Sequence, residues 1–272
     1  MKSENSKTQT GNEAANVVRI LVLERIDAFR KMIFRIAGVF FVCMIIVFAN
    51  KHLVFDTILF SPASSDFVLY RWLCKLGELL SMPSLCVEEF KLKFQNISIS
   101  GQFFVHVGTS FWFGLAVSFP WIIYQLWKFA APIMNKKVRE ITKKSLVLSS
   151  ALFFAGITTG YFLVVPLAVK FLGLYQVADA VKNIITLTSY IDTFVMLVIG
   201  MGLAFQFPLI ILALSHIGIL HRSFLKKYRR HAIIVITIIA AIVTPTPDPM
   251  TMIIMSAPLV LLYEISIYFC KK

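Results

Sequence analysis

Charge is scarce in this chain, and acidic charge scarcest. Charged residues fill 15% of the 272 positions, against about 25% in a soluble domain. Only 14 are acidic, against 27 lysines and arginines. This shortage argues against an ordinary water-soluble globule. No metal-ligand cluster, nucleophile–base pair or phosphate loop is visible, so enzyme chemistry is not expected, nor is any cofactor or metal. No convincing internal repeat is visible, which weighs against a small-solute transporter. No nucleic-acid motif accompanies the net charge of +13, so that charge needs another explanation. An early apolar core behind a short basic region is missing as well, and no cleavable signal peptide is expected.

What the chain has is long apolar runs. Hydrophobic residues make up 58% of it, and the mean hydropathy is +0.80. A helix needs about 20 residues to cross roughly 30 Å of hydrocarbon. Six runs are candidates: Ile33–Asn50, Phe103–Trp127, Ser145–Pro166, Tyr190–His216, Ala232–Thr244 and Met252–Phe269. The fifth is short, unless its helix begins inside Phe224–His231. Pro245, Pro247 and Pro249 break the chain between the last two runs, because proline lacks an N–H and clashes with the preceding turn. The expected fold is an all-α membrane protein of six spans. Its proline-bent helices form a cup-like wall, and spans five and six form a short hairpin. Residues 1–32 form an N-terminal tail and amphipathic segment, with Met1–Asn16 expected to be disordered. Residues 33–269 form the membrane domain, and 270–272 the C-terminus.

The basic residues set the orientation. Twenty of the 27 fall before or in the first turn of span one, between spans two and three, between spans four and five, or at the end. The positive-inside rule then puts both termini in the cytoplasm. The outer segment 51–101 is too long for a turn and is expected to form a cap, with Trp72, Phe90 and Phe94 at the membrane surface. It contains Cys74 and Cys86, in a compartment oxidising enough for a bridge. Two free thiols are the alternative.

Several strings resemble the TatC family, the large subunit of the twin-arginine protein translocase. Pro120 to Pro132 (PWIIYQLWKFAAP) resembles the family's P-x-x-x-Y-Q-x-W-x-F-x-x-P. Gly160 to Leu172 carries Y-F-x-x-x-P-L-x-x-x-F-L. Tyr190, Gly202, Phe205 and Pro208 follow on span four. Lys226 to Arg230, the hairpin Thr244 to Pro249, and Pro258 with Tyr263 and Glu264 complete the series. The resemblance implies a subunit without catalysis, in the inner membrane. It would bind twin-arginine signal peptides of folded precursors. It would work with the single-span partners TatA and often TatB, transport would use the proton-motive force, and several copies could share the complex. The chain departs from the family pattern at two positions usually glutamate, where it has Ala28 and Val138, and at one often acidic, where it has Gln206. Met252 stands where glutamine is usual.

A ligand with two arginines needs carboxylates, which pair with guanidinium through two parallel hydrogen bonds. The candidates are Glu140, Asp27 and Glu24, with Phe129 beside them. Local pairs with neighbouring bases are the alternative for each acid. Gln206 is the candidate intramembrane polar site, lining a polar concavity open to the bilayer or else holding two helices together. Thr244, Asp248 and Met252 are candidate partner contacts, and Asp248 is equally suited to capping span six. Glu264 is expected near Lys271 or Lys272. Competing functions are a secondary transporter of a small solute and a membrane assembly scaffold.

Overall fold

The computed structural model describes residues 2–79, 92–133, 136–175, 178, 183–218, 220–244 and 248–270. Helix α1, Lys2–Ala49, has 48 residues. The tail expected to be disordered is therefore helical. The segment has no proline and only Gly11 and Gly38 as breakers, so nothing stops the helix entering from the apolar side. Its apolar stretch, Leu23–Ala49, packs along α3, Gly101–Ala130. The two backbones come close at Gly114, where a Cβ would lie 2.9 Å from Met44 Cα.

The third crossing joins α4, Lys136–Thr159, to α5, Val165–Leu174, through a widened π-helical turn at Gly160–Val164. Pro166 follows that turn. It has no N–H to give to Phe162, and the wider turn absorbs the mismatch. The fourth crossing is α6, Leu187–Ala204, and α7, Phe207–Ile217, broken at Phe205 and Gln206. The break has the same cause: Pro208 has no N–H for Ala204. Gly218, at φ 89°, ends α7 in the left-handed conformation that glycine adopts without strain. A short helix α8, Arg222–Lys227, leads into α9, Arg229–Val243. Helix α10, Pro249–Phe269, closes the fold.

Among the described residues, five helical stretches are long and apolar enough to cross a membrane. The expected fifth span is not among them. It starts at Arg229, inside Phe224–His231, three residues earlier than Ala232, and still has only 15 residues. That makes it about 22 Å long.

The core lies where the third and fourth crossings meet. Phe153, Phe194, Leu197 and Met201 are fully buried there. Glycines let the helices touch. A Cβ on Gly156 would lie 2.6 Å from the Met201 carbonyl oxygen, and one on Gly202 would lie 2.9 Å from Phe153 Cε2. This small-residue contact suits a membrane helix pair, which has no water-driven hydrophobic force and depends on close packing.

Residues 50–79 and 92–100 cover one end of the bundle, here termed the cap end. Helix α2, Val68–Leu79, belongs to this cap. A short parallel pair, β1 (Phe94–Gln95) with β2 (Ile185–Thr186), ties the cap to the start of α6. Three tyrosines add long-range bonds. Tyr70 donates to the Pro166 carbonyl at 2.6 Å, Tyr190 to Leu59 at 2.6 Å and Tyr161 to Ile58 at 3.1 Å. Burial pushes the Tyr70 phenol up, so it stays a donor at any physiological pH. Trp72 is exposed, and Phe94 is half-buried, with its ring 4.5 Å from that of Tyr190. Phe90 lies outside the described residues. Cys74 is disulfide-bonded, whereas Cys43 and Cys270 are free. Cys86, its expected partner, also lies outside the described residues.

Candidate functional site

The candidate residues sit at three levels. At the end opposite the cap, here the basic end, α1 and α3 meet through Phe29 and Phe129, whose ring centroids are 5.7 Å apart. Glu24 and Asp27 lie on the same stretch of α1 and are exposed. Asp27 reaches Arg30 at 3.6 Å, with both side chains more than half open. An exposed contact of that length contributes about 0–1 kcal/mol. Glu140 and Val138 fall in the first turns of α4, and their side chains lie outside the described part. Helices α1 and α3 thus bring Asp27, Glu24 and Phe129 to one end of the bundle. The neighbouring Trp127 has its indole Nε1 buried without a hydrogen-bond partner among the described residues.

Gln206 occupies the break between α6 and α7. Ser149 Oγ donates to its Oε1 at 2.6 Å, and its Nε2 donates to the Ser149 carbonyl at 3.1 Å. Both ends of the amide are therefore spent on α4. These bonds make the helix–helix contact that was one of the two readings of this residue. Ser149 was not singled out from the sequence. The signal for it was present, since Ser149 and Ser150 are adjacent hydroxyls in an apolar run. Replacing Gln206 with Leu is expected to remove both bonds and cost about 0.6–1.7 kcal/mol, from the average to the maximum for such contacts. Ser149→Ala is expected to cost less, because its backbone carbonyl still accepts from Gln206. The thermal midpoints of the two detergent-purified variants check this, and an equal or larger loss for Ser149→Ala would count against it.

At the turn between α9 and α10, Asp248 accepts from the Thr251 N–H at 2.7 Å and caps α10, with Pro249 in the first helical position. Thr244 is buried and donates to the Ala241 carbonyl at 3.2 Å. Met252 packs against the central core. These contacts give all three candidate partner residues work inside the chain. Pro245 to Pro247 lie outside the described residues. Glu264 pairs with Arg229 across α10 and α9. Lys271 and Lys272, its expected neighbours, lie outside the described residues. Next to that pair, Tyr263 donates to the Leu225 carbonyl at 2.9 Å. No group of three or more His, Cys, Asp or Glu side chains suited to a metal occurs among the described residues.

Comparison with known proteins agrees with this architecture. The family model described as Sec-independent protein translocase protein (TatC) matches residues 24–258. The chain is 35% identical over 247 residues to the Sec-independent protein translocase protein TatC of Blattabacterium from Periplaneta americana, covering 90% of this chain and 92% of that one. It is 32% identical over 207 residues to the protein of the same description in Deinococcus radiodurans, covering 75% and 76%. The crystal structure of the twin arginine translocase receptor TatC in DDM superposes with a TM-score of 0.70 at 27% identity, covering 91% of this chain and all of that one. A second crystal structure of the receptor gives a TM-score of 0.65 at 26% identity, covering 90% of this chain and 96% of that one. With this agreement along nearly its whole length, the chain belongs to the TatC family of Sec-independent protein translocase proteins, as a membrane-embedded transport component and not an enzyme.

Proposed function

We propose that this subunit receives twin-arginine signal peptides at its basic end and passes folded precursors across the inner membrane. The observation that carries this is the Phe29–Phe129 contact, which sets the few exposed acids of α1 beside the end of α3. The paired arginines of the peptide bind Asp27, Glu24 and Glu140, and Phe129 packs against its apolar part. In this reading α9 is the fifth, short span, α10 the sixth, and the helices form a cup. Both termini face the cytoplasm, where 20 of the 27 basic residues collect. The single-span partners TatA and TatB dock at the α9–α10 hairpin around Thr244, Asp248 and Met252, and the proton-motive force drives transport. Several copies share the complex. A Cys74–Cys86 bridge braces the outer segment.

Site-specific photocrosslinking tests the reading. A twin-arginine signal peptide is expected to crosslink to probes at positions 24–31 and 136–144, and to lose those crosslinks when its two arginines become lysines. Crosslinks only at the cap end, or crosslinks indifferent to the arginines, would sink it.

A further inference from the structure

One cavity has no part in this reading. It is a cleft of about 360 Å³ between α7, α9 and α10, in the half of the bundle nearest the basic end. Its walls are apolar and include Phe207, Ile211, Val235, Ile239, Leu259 and Leu262. Val235, Phe207 and the neighbouring Phe224 are more than a third exposed, so the cleft opens sideways, where the bilayer would lie. Tyr228 and His231 stand at its basic end with their rings 5.5 Å apart.

The charge beyond that rim is one-sided. Helices α7 to α10 contain a single acid, Glu264, and Arg229 already holds it. Arg222, Lys226, Lys227 and Arg230 are left without an acidic partner in these four helices. Lys227 Nζ lies 5.9 Å from the centre of the Tyr228 ring, over the mouth of the cleft. Arg222 lies 5.4 Å from the centre of the Tyr268 ring, just past the Tyr263 wall. Its Nε is buried and has no hydrogen-bond partner among the described residues. A buried guanidinium nitrogen without an acceptor is costly unless an anion supplies one.

An apolar slot at leaflet depth that ends in unpaired cations matches an acyl chain with a phosphate at its head. A partner helix about 10–12 Å across has no such match, because it would lie over the slot without filling it. We propose that the α7–α9–α10 cleft holds an acyl chain of an anionic phospholipid, whose phosphate sits between Arg222 and Lys227. The bound lipid stays with the protein through solubilisation, satisfies the Arg222 Nε and fills the space between α9 and its neighbours. This site is separate from the signal-peptide acids, and its test does not depend on them.

Native mass spectrometry of the full chain in detergent, titrated with phosphatidylglycerol or phosphatidylcholine, decides the matter. Each cation near a lipid phosphate contributes about 1 kcal/mol, or roughly fivefold in affinity. The wild-type chain is expected to bind phosphatidylglycerol at least about fivefold more tightly than phosphatidylcholine. Arg222→Gln combined with Lys227→Gln is expected to abolish the preference, whereas Lys143→Gln, at a distant basic position, keeps it. Val235→Trp, which fills the slot from its lipid side, is expected to weaken both lipids. Equal binding of the two lipids by the wild-type chain overturns the proposal. So does an undiminished preference in the Arg222/Lys227 variant. If Val235→Trp changes the oligomer distribution and leaves the lipid count alone, a second copy of the chain occupies the cleft and the proposal also fails.

Discussion

A Gly156→Val chain is expected to lose most of its folded yield. In the native packing a Cβ at this position would lie 2.6 Å from the Met201 carbonyl oxygen and 2.9 Å from Gly202 Cα. Both obstacles are backbone, so no rotamer change relieves the clash. Helices α4 and α6 would have to separate, and with them the buried core around Phe153, Phe194 and Met201. Overpacking usually costs about 1–3 kcal/mol, and more where the neighbour cannot move. The expected loss is at the top of that range, about 3 kcal/mol. Gly156→Ala already places the offending Cβ and is expected to lose a smaller share. Gly38→Ala is the control, because nothing lies within 4 Å of its Cβ position. Alanine in its place also favours the helix by up to about 1 kcal/mol. Fluorescence-detected size exclusion after a thermal ramp measures all three. A Gly156→Val midpoint equal to that of Gly38→Ala would refute the account of the core.

The glycine contact marks the limit of what was legible in the sequence. The spacing Gly156-x-x-x-Gly160 is visible, but its partner is a stretch of backbone on another helix, which leaves no mark of its own. The crossings were legible because apolar runs of that length have few other uses. The bend in the fourth crossing followed from Pro208, and the cap on α10 from Asp248 before Pro249. Long-range partners were not legible. Glu264 reaches Arg229, 35 positions away, and Gln206 reaches Ser149, 57 away. Composition pointed to the wrong outcome for the N-terminal tail, because a polar sequence without proline can extend a helix already nucleated by its apolar continuation. The acids at the basic end were legible as scarce anions on a basic face. Their geometry toward a ligand was not, since that depends on a peptide outside this chain.

Removing those acids is expected to produce the largest functional effect. Glu140→Gln combined with Asp27→Asn is expected to weaken binding of a twin-arginine signal peptide by more than about tenfold, a loss of roughly 1.4 kcal/mol or more. A hydrogen bond to a charged group contributes about 1.5–3 kcal/mol. Solvent at the basic end reduces that share, so each carboxylate is expected to supply only part of it. Asp27 is free to supply its part, because its own partner Arg30 is 3.6 Å away in an open contact that an incoming guanidinium displaces at little cost. Salt screens such contacts, so wild-type affinity is expected to fall as ionic strength rises, and the affinity of the double variant to respond less steeply. Removing two negative charges from a face already rich in lysine and arginine also raises its repulsion of the peptide, which adds to the loss. Fluorescence anisotropy with a labelled signal peptide and reconstituted full-length chain reads both affinity and salt slope. Wild-type affinity in the double variant would show that these acids serve only their local bases.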